Sequence, residues 1–183
     1  MTSILLWLWK VLPLPDGLRW AILWLGNTKF LAGVLAAIFD EEGRILLQRH
    51  TYRTRHPWGM PGGWIHEGEL PPEALAREVG EETGLSIAVG PLVAARGGHE
   101  RSRLELTYLC NASGTARVSV ETAEVGYFAL DALPDGVSPD QLAPMQIAAR
   151  VRQHLLGRPA SEGEAALWDT GEAQIRDAIE QFE

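Results

Sequence analysis

Two apolar stretches crowd the start of the chain, Ile4 to Leu12 and Leu18 to Leu25. Pro13-Leu14-Pro15-Asp16-Gly17 separates them and reads as a turn joining two short helices. A membrane-spanning helix needs about 20 consecutive apolar residues. Here Lys10, Asp16, Arg19 and two prolines interrupt the run. No basic residue precedes the first stretch, which makes it a poor secretory signal. From Phe30 the pattern turns β-like: an apolar run over Leu31 to Phe39, a turn at Asp40-Glu41-Glu42-Gly43, and a second strand from Arg44 to Arg49.

Residues 50–57 are polar, and Trp58-Gly59-Met60-Pro61-Gly62-Gly63 reads as a turn-rich bridge. Pro71-Pro72 suits the entry of a helix, where a missing N–H costs nothing, and Gly84 is placed to end it. Further strands are expected around 86–96, 103–111, 116–121 and 125–129. A helix then opens at Ser138 or Asp140 and runs to about Leu156, with Leu142, Met145, Ile147 and Val151 apolar. The segment 157–170 reads as a linker, and 171–182 as a short amphipathic helix. No internal repeat is present. This divides the chain into an apolar helical extension (1–29), a central α/β domain (30–156) and a tail (157–183).

Composition adds limits. The 183 residues are enough for one domain with a real core and carry a formal net charge of −8. With 16 basic residues against 24 acidic ones, general nucleic-acid binding lacks its usual source of affinity. The charge is uneven, however. Residues 1–60 hold seven Lys/Arg against four acids, and the remainder nine against twenty. The single cysteine, Cys110, excludes an intrachain disulfide and a zinc cluster, which points to a reducing, cytoplasmic setting.

Chemistry concentrates between Gly63 and Leu85. On a helix, Glu78, Glu81 and Glu82 stand at i, i+3 and i+4, so their carboxylates share one face. Arg77 is adjacent in sequence but is expected to point about a quarter-turn away. Unpaired, the three carboxylates repel one another. A divalent cation relieves that repulsion, and hard oxygen ligands suit Mg²⁺ or Mn²⁺. The plainer alternative is a solvated acidic helix face.

At these residues the chain resembles the Nudix hydrolases, whose box reads G-x5-E-x7-R-E-U-x-E-E-x-G-U with U a bulky aliphatic residue. Gly63, Glu69, Arg77, Glu78, Val79, Glu81, Glu82, Gly84 and Leu85 meet every position with every spacer correct. The resemblance extends, with falling specificity, over residues 30–155. It implies an α/β/α sandwich with a mixed sheet. It also implies metal-dependent hydrolysis of a nucleoside diphosphate linked to a further moiety X, by water attack on phosphorus. Glu78 and Glu82 match the main metal ligands, Glu81 a position that binds metal or acts as base, and the Gly62 carbonyl a further ligand. Arg77 and Glu69 match residues that orient these glutamates.

Outside the box, Glu121 and Glu124 are further candidates for the general base. Arg49, at the end of the second strand, lines up with a phosphate-binding arginine of some relatives. Arg53 and Arg55 are placed to reach the same anion, against a plainer reading as solvated loop residues. Trp58 is a candidate for stacking on a base, with packing under the Pro-Gly-Gly bridge as the alternative. The secondary signatures of NADH, CoA, ADP-ribose and diadenosine-polyphosphate enzymes are missing. Glu100 stands where many ADP-ribose enzymes carry proline, and Tyr108 falls too late for the dinucleotide position. A nucleoside triphosphate or modified nucleotide is the remaining expectation. ADP-ribose, NDP-sugar and dinucleoside polyphosphates are the alternatives, and a non-catalytic nucleotide sensor is the reading from another class. Four of the seven tryptophans lie in the first 24 residues. That apolar extension is expected to pack on the domain or across a homodimer through residues 1–28, with peripheral membrane contact as the rival.

Overall fold

Strand period and helix period decide how this chain delivers side chains to its centre, and a computed structural model describes residues 14–98 and 102–157. The chain forms two compact units, Met1–Phe30 and Leu31–Glu183.

In the first unit, α1 spans Asp16–Gly26. It begins earlier than expected: Asp16 and Gly17 are not part of a turn between helices but form its first turn. The Pro15 carbonyl accepts the Leu18 and Arg19 N–H groups at 2.9 and 3.1 Å, and the acidic side chain of Asp16 suits the positive helix end. At the other end the Asn27 amide donates to the Leu23 carbonyl at 2.6 Å. The Lys29 ammonium lies 4.5 Å from the Trp24 ring centre. None of the residues of α1 is buried, and Trp20 is 68% exposed. The expected partner helix over 4–12, the linker beyond 157 and the C-terminal helix lie outside the described residues. No described helix is long and apolar enough to cross a membrane.

The second unit holds β1 (Leu31–Ile38), β2 (Ile45–His50), β3 (Trp58–Gly59), β4 (Gly62–Trp64), α2 (Pro71–Thr83), β5 (Ser86–Gly98), β6 (Arg103–Ser113), β7 (Thr122–Phe128) and α3 (Pro139–Leu155). The strands form two sheets, ordered β4-β1-β6-β5 and β3-β2-β7. The first is mixed, because β1 and β6 run parallel with Leu31 opposite Arg103 and Ile38 opposite Cys110, while β4 and β5 pair antiparallel. Although a tight turn joins β1 to β2, with Gly43 at φ 84° inside it, the two strands belong to different sheets.

Period two sorts the core into two halves. Val34, Ala36, Ile38 and Leu46 face α2 and pack with Leu75, Val79, Leu85 and Cys110. Leu35, Ala37, Ile45 and Leu47 face the other way and pack with Trp58, Met60, Met145 and Ala148. Helices thus cover opposite sides of the strands, the α/β/α arrangement the box implies. Each fully buried aliphatic side chain contributes about 1.5–3 kcal/mol.

Two expectations need correction. Residues 116–121 form no strand: Arg117 donates its N–H to Thr83, and Val118 and Val120 are 62% and 93% exposed, so their alternation has no layer to face. On α3, Gln141, Pro144, Met145 and Ala148 are the buried face, whereas Leu142 points outward.

α2 forms where its signals place it. Glu73 reaches back to accept the Leu70 N–H at 3.1 Å, and Gly84 closes the helix at φ 70°. The strand before it is pinned by Gly62, at φ 146° and opposite Leu35, where an added Cβ would drive into the Val34 carbonyl oxygen. Gly62→Ala is expected to lower unfolding free energy by about 3 kcal/mol, read from urea denaturation. Gly68→Ala, with open space around it but φ 80°, is expected to cost about 1–2 kcal/mol.

Candidate functional site

Glu78, Glu81 and Glu82 leave α2 within little more than one turn, and the structure places the Arg77 guanidinium against the first two. Contrary to the expected quarter-turn offset, Arg77 reaches both Glu78 (Nη1 to Oε1, 2.8 Å) and Glu81 (Nη1 to Oε2, 3.4 Å). A long side chain with five donors spans what its Cβ direction alone does not. The same guanidinium grips Glu69 bidentately, at 2.9 and 3.0 Å, and donates to the Trp64 carbonyl at 3.1 Å. The Arg77 hydrogen bonds hold Glu69 well below the usual carboxylate range, at about 2, although burial opposes this.

Glu82 has the opposite environment. It is 6% exposed, and burial pushes its carboxyl up to about 7, against the pull of the Gly62 N–H, which donates to Oε2 at 2.8 Å. Behind it stand Gln48 and His50, both buried on β2. Burial, with the Arg53 charge adding, pushes His50 down to about 4 and keeps it neutral at pH 7. A Cβ added to Gly63 would overlap the Glu78 carboxylate, so the first glycine of the box makes room for a box glutamate.

Two open cavities meet at these carboxylates. One, of about 330 Å³, is lined by Gly62, Gly63, Glu78, Glu81, Glu82 and Glu121, and on its flanks by Tyr52, Arg53, Trp64, Arg103 and Gln141. The second, of about 220 Å³, lies between Glu78, Glu81, Glu82 and the Ser119–Glu121 loop. Arg77 lines the first as well. Four expected residues line neither. Arg49 and Glu124 pair with each other across β2 and β7, at 2.7 Å, because they are register partners. Trp58 is buried in the second core half, edge-on to Phe128 at 5.1 Å, so it packs and does not stack on a ligand. Arg55 is exposed on the loop beyond Arg53. Tyr52, Trp64, Arg103 and Gln141 had no signal in the sequence. Gln141 accepts the Met60 N–H at 2.7 Å and so ties α3 to the Pro-Gly-Gly bridge.

The donor set suits a hard divalent cation: carboxylate oxygens of three glutamates on one cavity, with room for waters and a phosphate. Among the described residues no three His, Cys, Asp or Glu side chains stand ready-assembled around a cation position. Glu78 leans to Arg77 and Glu82 to Gly62, so an arriving cation would compete with the guanidinium for Glu78.

The depressed Glu69 carboxyl makes a pH-dependent contribution to stability. Its folded pKa lies below its unfolded one, so the contribution is complete above the ordinary carboxylate range and disappears as pH falls through about 4.5 toward about 2. The stability difference between wild type and Glu69→Gln is therefore expected to be constant at pH 6–8 and to shrink below pH 5, as followed by urea midpoints.

Residues 29–147 match the NUDIX domain. The chain is 33% identical to a MutT-like protein of Streptomyces ambofaciens over 106 residues, 57% of this chain and 65% of that protein. It spans less than two thirds of the length of the curated relatives it matches, 65% in that case and 64% for a Bacillus subtilis relative. Among solved structures, an ADP-ribose pyrophosphatase from Streptococcus suis superposes with a TM-score of 0.57 at 28% identity, covering 67% of this chain and 92% of that one. A MutT NUDIX hydrolase from Burkholderia pseudomallei gives the same score and identity over 67% and 97%. With the box intact on its loop and helix and the domain matched over residues 29–147, the chain belongs to the NUDIX family.

Proposed function

We propose that this protein is a hydrolase that cleaves the pyrophosphate linkage of a nucleoside diphosphate joined to X, by attack of water on phosphorus, with Mg²⁺ or Mn²⁺. The observation that carries this reading is the carboxylate wall of Glu78, Glu81 and Glu82 facing a polar cavity flanked by Arg53 and Arg103. Its substrate is a nucleoside triphosphate or modified nucleotide; ADP-ribose or an NDP-sugar and dinucleoside polyphosphates are the rivals. A sensor without turnover would not require the full glutamate set.

In this reading Glu78, Glu81, Glu82 and the Gly62 carbonyl hold the cation, which when bound neutralises phosphate charge and acidifies a water. Arg77 orients Glu78 and Glu81 while Glu69 holds Arg77 in place. Of the three arginines expected to reach phosphate, Arg49, Arg53 and Arg55, it is Arg53, half-buried on the cavity wall, that takes the contact. Glu81 or Glu121 accepts the proton of the attacking water, since both line the cavity while Glu124 is engaged with Arg49. The setting is cytoplasmic, in keeping with the buried thiol of Cys110, which burial pushes up to about 11.

Glu82→Gln is expected to lower kcat/KM by roughly a hundredfold or more on a panel of NTPs, oxidised NTPs, NDP-sugars, ADP-ribose and dinucleotides. If no panel member is turned over by wild type with either cation, the hydrolase reading fails. Metal binding has a pH signature too. In the metal-free protein Glu82 keeps its proton up to about 7, and a cation needs the ionised form. The rise in melting temperature on adding Mn²⁺ is thus expected to grow as pH climbs through 7 in wild type, and to be smaller and to lose that dependence on pH in Glu82→Gln.

We also propose that residues 1–28 form a homodimer contact. α1 is apolar nearly all round, with Trp20 and Trp24 exposed, and such a helix requires cover. Deleting residues 1–28 is expected to convert a dimer to a monomer in sedimentation. An unchanged oligomeric state together with lost binding to anionic vesicles would replace this reading with a lipid-surface one.

A further inference from the structure

β2 carries polar residues where its period calls for core residues. Leu46, Gln48 and His50 alternate onto the face toward α2. Leu46 packs among Leu75 and Val79, but Gln48 is fully buried and His50 is 2% exposed. An amide or imidazole taken out of water destabilises the fold unless it meets a polar partner, so a strand made only for packing would carry aliphatic residues at both positions. Both residues converge on one group, the carboxylate of Glu82.

The geometry behind Glu82 is specific. The Thr122 hydroxyl, itself fully buried, donates to Gln48 Oε1 at 3.1 Å. The Gln48 amide nitrogen at the other end is buried and has no hydrogen-bond partner, yet it stands near enough to the Glu82 carboxylate to favour its ionised form. His50 Nδ1 lies 3.9 Å from Glu82 Oε1, and neither ring nitrogen has a hydrogen-bond partner. A bulge makes the meeting possible. The β2–β7 register slips between Arg49 and His50, so that Arg49 faces Glu124 but His50 faces Thr122, with Ala123 left over. That slip brings Thr122 beside His50 and within reach of Gln48, the re-aiming that bulges near functional sites provide. On the other side of Glu82, the Gly62 N–H holds Oε2.

We propose that Gln48, His50 and Thr122 are positioning residues that fix Glu82 from behind, so that its carboxylate meets the cavity already oriented for a cation. This rests on the reading of Glu82 as a cation ligand. Gln48 acts on Glu82 directly, Thr122 acts by orienting Gln48, and His50 fills the remaining side of the carboxylate. None of the three lines either cavity, so none touches substrate.

The test uses the full chain with Gln48→Met, which keeps volume and removes the amide, and Thr122→Val, which removes only the hydroxyl. Mn²⁺ affinity is read by electron paramagnetic resonance of the free ion, and kcat and KM are measured separately. Gln48→Met is expected to weaken Mn²⁺ binding about tenfold and to lower kcat with KM for the nucleotide unchanged. Thr122→Val is expected to move the same quantities in the same direction by less. In a Glu82→Gln background, Gln48→Met is expected to leave Mn²⁺ affinity where it stands, because its route to the cation is gone. A Gln48→Met protein that melts earlier but binds Mn²⁺ as wild type does would overturn the proposal, as would equal losses in the two backgrounds. Should Gln48→Met not fold, unchanged Mn²⁺ affinity in Thr122→Val has the same force. Wild-type Mn²⁺ binding in Glu82→Gln alone would instead remove the ligand reading on which the proposal stands.

Discussion

Carboxylates at 78, 81 and 82 repel one another on one helix face, and the loop and helix that carry them are organised around the guanidinium that offsets this. Arg77 donates to Glu69, Glu78, Glu81 and the Trp64 carbonyl. It therefore ties the loop ahead of α2 to the helix itself, as well as offsetting charge. Lysine, a point charge on a flexible stem, has three donors and no planar fork, so it could not hold four acceptors at once. Removing Arg77 would release both the carboxylate repulsion and the loop.

The rest of the fold serves to bring that element against β1 and β2. Val34, Ala36 and Leu46 form the apolar floor under α2, and Gly62 allows β4 to pass close enough to β1 for its N–H to reach Glu82. Glu69 and Glu82 illustrate how environment divides identical side chains. One is held ionised by an arginine and the other is driven toward neutrality by burial. The first is fixed as structure, and the second is the one that the proposed reading assigns to the cation.

Much of this was legible in the sequence, for physical reasons. The box carries its own start and stop signals, so α2 lies where Pro71 and Gly84 place it, and the strong apolar runs at β1 and β2 leave little ambiguity. Residues 116–121 misled because alternation of Ala116, Val118 and Val120 signals a strand only when another strand is there to pair with it. Arg49 and Trp58 were assigned to ligand because their partners, Glu124 and Phe128, lie some 70 residues away in sequence and are joined to them only by strand register or core packing. Gln48 and His50 were invisible for a related reason. A polar residue in a strand reads as facing water, and only the tertiary fold reveals that the face it occupies is closed.

The register of β1 against β6 has a consequence for how the site comes into being. Leu31 sits opposite Arg103, and the parallel pairing between them encloses the entire box segment as an insertion within one long loop. Closing such a loop is a late and entropically opposed step. The residues around Glu82 come from β2, the Gly62 turn and the start of β7, segments that lie outside the box itself. A synthetic peptide spanning Gly63 to Leu85 would contain every residue of the motif and still lack the site. The motif is local, but the organised carboxylate is a product of the completed chain, and a chain ending before β7 would lack the Thr122 that orients Gln48 behind it.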